Sequence, residues 1–584
     1  MNIDKYFPNG VLQSELFMGL VSAVSAYMVR VNLNDAGNPS GSHFSGNRYG
    51  KGEVGEFVLI EGQLSILLGR LVDIRLPEAD RKIITPKYEG QGLAAYGDIQ
   101  LLGTVSMHTL KVTAGVDSYP RLGDRVYASP VDFVSHIPEL MEIQKKNEQT
   151  PLNLVLGTVG VACDQQSAQI EIRPEKLFGR HCAILGTTGG GKSWTTARII
   201  EECLKYKSKI ILIDATGEYR DFYGSFVQHC HLGVPSYKTE NSLSCSLSPT
   251  SFQESDFIAL FEPAGKVQGP KLRASIRSLR IARMCPDLFP DGYIHKIETS
   301  KKNYDEAILR SDVFPYIDDP RQPFDVFNLP KQMLEECVYP SGGYPANPDY
   351  SRWGKEDGNF SYCLSLVARI EAITTSSVFS SVFKSSDPSL ITEIETFIHS
   401  QKRLLRICLS GISFEYKARE IIANVIGRYL LQLARNGSFL SQPTVLIVDE
   451  AHNFLGRNIG SEDTIAQLDA FELIAKEGRK YGINICLSTQ RPRDITEGVL
   501  SQMGTLIVHR LTNDRDREIV ERACGEIDKS ASSFLPNLRP GEAAIIGVDF
   551  PIPLTIQITP PFIKPKSDGP NYQATWRNDD TNPS

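Results

Sequence analysis

Residues 186–194 read GTTGGGKSW, four glycines followed at once by a lysine and a serine. The pattern G-x-x-x-x-G-K-[ST] is met by Gly186, Gly191, Lys192 and Ser193. Glycines let backbone N–H groups turn inward around phosphates without Cβ clashes, and a following helix N-terminus adds partial positive charge. Lys192 would reach the β/γ-phosphates of ATP, and Ser193 would bind Mg²⁺. The candidate nucleotide-binding residues are Gly186, Thr187, Thr188, Gly189, Gly190, Gly191, Lys192, Ser193 and Trp194. VLIVDEAH (445–452) ends an apolar run in Asp449 and Glu450. Asp449 is placed to hold Mg²⁺ and Glu450 to polarise an attacking water, the pairing of ATP hydrolysis rather than transfer to a hydroxyl. A plain surface turn is the competing reading. Gln490, in LSTQRP, could sense the γ-phosphate or simply make a strand-end hydrogen bond. Arg479, in KEGRKYG, reads as an arginine finger for a neighbouring subunit or as a solvated basic turn. Arg180 precedes the first strand and could also face a nucleotide.

These residues need strands and helices to hold them. HCAILG (181–186) suits a buried strand, and the helix after the glycines carries Ala197, Ile200, Cys203 and Leu204 at helical spacing. KIILIDATGEY (209–219), RLLRICLSG (403–411), PTVLIVDEAHNF (443–454), INICLSTQRP (483–492) and TLIVHRL (505–511) are further buried strands. Strands alternating with helices imply an α/β fold with a parallel sheet. Residues 1–170 are β-rich with frequent turns, which suggests a small β-barrel, and LGTV occurs at both 102–105 and 156–159. The motor-type domain is expected over 171–254 and 401–563, with a helical insertion at 255–400. Residues 564–584 are a polar tail, disordered or draped over a neighbour.

The chain has 584 residues, 41% hydrophobic and 22% charged, with a net charge of −7. That balance excludes a surface coated in basic charge, so any nucleic-acid site must be local. Eleven cysteines form no CxxC pair, which argues against a disulfide framework or a zinc site. His229, Cys230 and His231 are adjacent on a strand and so point to alternate faces, against a shared metal. The most apolar stretch, LFMGLVSAVSAYMV (16–29), is too short to span a bilayer and reads as a soluble strand or helix. No membrane association and a cytoplasmic location are expected.

The ordered set GRHCAILGTTGGGKS, LIDATGEY, VLIVDEAHNF, EGRKYGINICLSTQRP and LRPGEAAIIG resembles the HerA family, within the HerA/FtsK group of RecA-like motor ATPases. The LGRLVDIRLPE stretch resembles the HAS-barrel that precedes the HerA motor. Ala215-Thr216 stand where relatives often have Pro-His. The resemblance spans roughly 50–560. It implies a homo-hexameric ring that hydrolyses ATP with Mg²⁺ and moves double-stranded DNA through its pore. It implies a nuclease, sirtuin-type or other effector partner, in bacteria often within anti-phage defence. Residue by residue, it assigns Lys192, Ser193, Asp449 and Glu450 to the phosphate and acidic motifs, Gln490 to the sensor, and Arg479 to a trans-acting arginine. Arg180 matches a second arginine near the nucleotide, and Asp214 and Glu218 match the DxxGEY element. Two other readings stand beside the translocase. One is an ATP-controlled scaffold that switches an effector with little transport, and the other is a secretion-type ATPase at a membrane. No nuclease or protease motif is legible in the chain.

Overall fold

The computed structural model of the chain describes residues 10–33, 42–44, 47–49, 52–76, 95–142, 151–160, 167–235, 237, 239–344, 347–383, 387–455, 457–459, 466–524, 532–567, 572 and 576. It divides into two units. The first is residues 1–206 with 489–493 and 497–562, and the second is 207–488 with 494–496 and 563–584.

The first unit opens with a closed barrel. Strands Phe17–Val24 and Met28–Leu33 form a hairpin from the stretch that looked most membrane-like. Its alternation places Met18, Val21, Val29, Val31 and Leu33 inside, as expected for a half-buried hairpin. The ring runs Met28–Leu33, Phe17–Val24, Arg125–Ala128, Phe57–Glu61, Ser65–Arg75 and Ala95–Ser106, and the last strand pairs back onto the first. A Cβ at Gly97 would sit 2.6 Å from Leu71 Cδ1 and 2.8 Å from Leu33 Cδ1, so the narrow interior requires glycine there.

The β-rich region expected over 1–170 does not all belong to this barrel. Leu154–Val159 and Ala168–Ile172 pair with each other, and the former joins Phe550–Ile558 in the sheet that carries the phosphate loop. The two LGTV copies therefore lie in different sheets. From that edge the order is Ala168–Ile172, Leu154–Val159, Phe550–Ile558, Glu542–Gly547, Thr505–Val508, Cys182–Leu185. Only the last pair is parallel.

Arg70 reaches from the barrel to this sheet. Its guanidinium is buried, donating to the Gly55 carbonyl at 3.1 Å and the Thr555 hydroxyl at 3.2 Å. It lies 4.2 Å from the Phe534 ring centroid and 5.5 Å from that of Phe57. Burial pushes its pKa down to about 10.

The second unit is a sheet of parallel strands in the order Ile483–Thr489, Thr444–Val448, Lys209–Asp214, Leu404–Cys408, Val227–His231, Ser242–Ser244. The strand on which His229, Cys230 and His231 were read is Val227–His231, and Ser242–Ser244 went unread because it is short and polar. Between Ser244 and Leu404 the chain is mainly helical, with Gly265–Met284 packed on Leu329–Glu335 and Asp357–Thr375. Phe252, Phe257, Phe261, Phe324, Phe379 and Phe383 supply aromatic contacts inside it. Of the tail expected over 564–584, only 564–567, 572 and 576 are described, and Pro77 and Glu78 of the barrel motif lie outside the described residues.

Arg70→Ala is expected to lower stability by about 2–4 kcal/mol, from two lost hydrogen bonds and a cavity between two rings. Arg70→Met, which keeps the stem and removes the buried charge, should lose less. Urea midpoints of the two variants check this. Equal losses would show that the stem packing contributes nothing.

Candidate nucleotide site

The phosphate loop leaves Cys182–Leu185 and enters the helix Lys192–Leu204. Gly189 and Gly191 have φ of +75° and +114°, which L side chains rarely adopt. A Cβ on Gly186 would stand 2.6 Å from the His509 Cβ, and one on Gly191 3.1 Å from His509 Cε1. The loop is thus seated directly on the residue that follows strand Thr505–Val508. Lys192 donates to the Thr187 carbonyl at 3.1 Å, across the concave side of the loop. Ser193 is half-buried at the first helical turn. The Thr188 hydroxyl donates to Gln490 Oε1. The sensor glutamine therefore touches the phosphate loop itself.

His509 was missed in the sequence. It closes the buried run TLIV and looked like the first polar residue of a loop. Its Nδ1 lies 2.8 Å from the Glu542 carbonyl oxygen and so carries the proton, leaving Nε2 to accept from the Thr195 hydroxyl at 2.8 Å. Burial pushes its pKa down to about 4, helped by the Lys192 charge and opposed by the Glu542 hydrogen bond. The imidazole is neutral under the loop at physiological pH.

In the second unit, Asp449 follows strand Thr444–Val448 and is buried. Its carboxyl is held well above the usual range, first by burial, then by the charges of Glu218, Asp214 and Glu450, with the Ser488 hydroxyl opposing as a donor. Asp449 thus feels three other carboxylates, although no group of three or more side chains placed to hold a metal ion is found among the described residues. Glu450 takes a left-handed φ of +49°, and its Oε2 lies 3.3 Å from His452 Nδ1.

Asp214 belongs to this cluster but is already committed. It accepts from the backbone N–H groups of Gly217 at 2.7 Å and Tyr219 at 3.2 Å, and from Arg406 Nε at 2.7 Å. Both members of that ion pair are buried. The DxxGEY element is therefore a clamped turn, with Arg406 as the counter-ion that spacing could not reveal.

Arg479 lies in the short 3-10 segment Gly478–Tyr481 and is exposed, with no hydrogen bond or ion pair of its guanidinium among the described residues. Arg180 stands before strand Cys182–Leu185, at the end opposite the phosphate loop, and pairs with Asp549 at 3.6 Å. At about 3.3 Å per residue the strand keeps it roughly 20 Å from the loop of its own chain. His229 and His231 are each committed to a separate partner. His229 donates from Nε2 to the Phe222 carbonyl at 2.6 Å, and His231 meets Ser242 at 2.8 Å. No group of metal-binding side chains is found there among the described residues.

A glycine loop seated on a strand end, a lysine across its mouth and a glutamine touching it mark the first unit as carrying the phosphate loop of a P-loop ATPase. The family model for the helicase HerA central domain matches residues 155–337. The probable DNA double-strand break repair helicase HerA of Methanocaldococcus jannaschii is 26% identical over 405 residues, covering 68% of this chain and 75% of the relative. The DNA double-strand break repair helicase HerA of Saccharolobus solfataricus is 23% identical over 402 residues, covering 68% of each. The chain is thus similar to HerA helicases. Among solved structures, VirB4 of Thermoanaerobacter pseudethanolicus aligns with a TM-score of 0.44 at 16% identity, covering 71% of this chain and 98% of VirB4. The plasmid coupling protein TrwB in complex with ADP and Mg²⁺ aligns at 0.39 and 12%, covering 71% of this chain and 97% of TrwB.

Arg406→Met should cost about 3–5 kcal/mol, because Asp214 is left buried without a counter-charge. Adding Asp214→Asn should return part of that loss. Denaturant unfolding of the single and double variants measures it, and strict additivity would remove the coupling.

Proposed function

We propose that this chain is a motor that binds ATP with Mg²⁺ at Gly186–Trp194, hydrolyses it, and moves double-stranded DNA. The observation that carries the reading is the phosphate loop in contact with Gln490, together with the buried carboxylate Asp449. Lys192 and the loop N–H groups bind the phosphates. Ser193 and Asp449 hold Mg²⁺, which neutralises phosphate charge when bound. Glu450 takes the proton of the attacking water, and Gln490 orients it. The turn set by φ at Glu450 and its contact with His452 aim that carboxylate.

The assembly proposed is a homo-hexamer in which the exposed Arg479 serves the neighbouring subunit's nucleotide. A nuclease, sirtuin-type or other effector supplies the second activity, in an anti-phage setting in the cytoplasm. Similarity to HerA helicases supports the DNA reading, since these relatives are named as DNA double-strand break repair helicases. No helix among the described residues is long and apolar enough to cross a membrane.

Lys192→Ala is expected to abolish nucleotide binding or turnover. Glu450→Gln should bind ATP normally and hydrolyse it at least about a hundredfold more slowly. Equilibrium binding and steady-state hydrolysis test both, and translocation is read by triplex displacement from duplex DNA. Wild-type turnover in Glu450→Gln would overturn the assignment.

Arg479→Ala should leave ATP affinity intact while turnover falls by about 10³-fold or more. Mixing Arg479→Ala with Glu450→Gln subunits creates interfaces with one good pocket and one good finger, so activity should partly return. Normal hydrolysis by Arg479→Ala alone would make it a solvated basic turn.

A further inference from the structure

The loop's backbone is tied to the segment after strand Thr505–Val508 before any side chain is considered. His509 N–H donates to the Leu185 carbonyl at 2.7 Å, and Thr187 N–H to the Arg510 carbonyl at 3.2 Å. The ladder between the two strands thus continues into the phosphate loop. The imidazole then makes two further links. One reaches Glu542, at the start of strand Glu542–Gly547, and the other reaches Thr195, in the first turn of the helix whose N-terminus closes the loop. Both His509 and Thr195 are fully buried. Between these links the ring lies against Gly191 and the His509 Cβ against Gly186, where an added Cβ would come closer than ordinary van der Waals contact. Gly541 N–H donates to the Gly190 carbonyl at 3.4 Å, on the same turn as Glu542.

We propose that His509 is a positioning residue for nucleotide binding. As a neutral imidazole, it fixes the helix N-terminus and the glycines against two strands, so that the loop N–H groups already point where phosphate oxygens go. The inference rests on reading the loop as a nucleotide site. The physical reason is pre-organisation. A glycine-rich loop has many conformations, and each must be given up when phosphate binds unless the protein has already removed them. The two hydrogen bonds of His509 are buried, so water cannot replace a lost partner. The ring also has to act as donor at one end and acceptor at the other, which only the neutral form does. Its position beside Lys192 and its burial keep it in that form across the physiological range, with a pKa of about 4.

The test uses the full chain and a fluorescent ADP analogue. His509→Phe keeps a ring and loses both hydrogen bonds. His509→Asn retains a donor near Nδ1, and His509→Gln retains an acceptor near Nε2. Lys192→Ala is the control. The expected result is that His509→Phe raises the Kd tenfold or more with a melting temperature within a few degrees of wild type. His509→Asn and His509→Gln should each bind at least threefold more tightly than His509→Phe. Two outcomes would overturn the inference: wild-type affinity in His509→Phe, or Asn and Gln variants no better than Phe. If His509→Phe does not fold, the comparison moves to Asn and Gln against wild type, and wild-type affinity in both overturns it. If wild type and Lys192→Ala bind alike, the nucleotide reading falls and this inference falls with it. Loss in Lys192→Ala with wild-type affinity in His509→Phe removes this inference alone.

Discussion

The site depends on one packing constraint, the direct seating of the phosphate loop on the end of strand Thr505–Val508. Gly186 and Gly191 face the His509 side chain with no room for a Cβ. That contact explains why the motif needs glycine at these two places for reasons beyond phosphate access. One position needs close approach, and the other needs both close approach and positive φ. The same contact brings Thr188 within reach of Gln490, the residue after strand Ile483–Thr489. A change at the strand end would therefore move the loop, the sensor and the helix N-terminus together.

Electrostatics divides the acidic residues into two kinds. Asp214 is neutralised in place by Arg406 and by the turn it caps, so its charge is spent on structure. Asp449 has burial and three neighbouring carboxylates raising its pKa, with Ser488 as the opposing donor. A carboxylate held this way has a strong preference for a cation over exposure to its neighbours alone. Two aspartates that end adjacent parallel strands thus have opposite roles, decided by which one has an arginine on the next strand.

The barrel and the phosphate-loop sheet meet through Arg70, held between Phe57 and Phe534. Nearby, Arg510 Nε donates to the Pro536 carbonyl at 3.0 Å, and Leu511 N–H to that of Leu535 at 3.3 Å. The segment after His509 and the segment under Arg70 are thus joined by hydrogen bonds within one unit.

Local chemistry carried a good part of this. The positions of the phosphate loop, of Asp449 and Glu450, and of Gln490 at strand ends were legible because each is a short run closing an apolar strand. The stretch 16–29 was legible as too short to cross a bilayer, but whether it was strand or helix was left to the hairpin the structure shows. Other features depend on residues far apart in the chain, and no local pattern encodes which strand pairs with which. Leu154–Val159 read as one more barrel strand until its partner proved to be Phe550–Ile558. Arg406 read as a buried strand residue until Asp214 stood beside it. His509 is the clearest case. Its neutral charge, its tautomer and its place under the glycines follow from Thr195 and Glu542, more than 300 residues away on one side and 33 on the other. The sequence by itself determined which residues could handle a nucleotide, because that chemistry is a matter of type and short spacing. Only the tertiary structure decided which groups are buried, paired and held in place, because burial and pairing are properties of distant segments brought into contact.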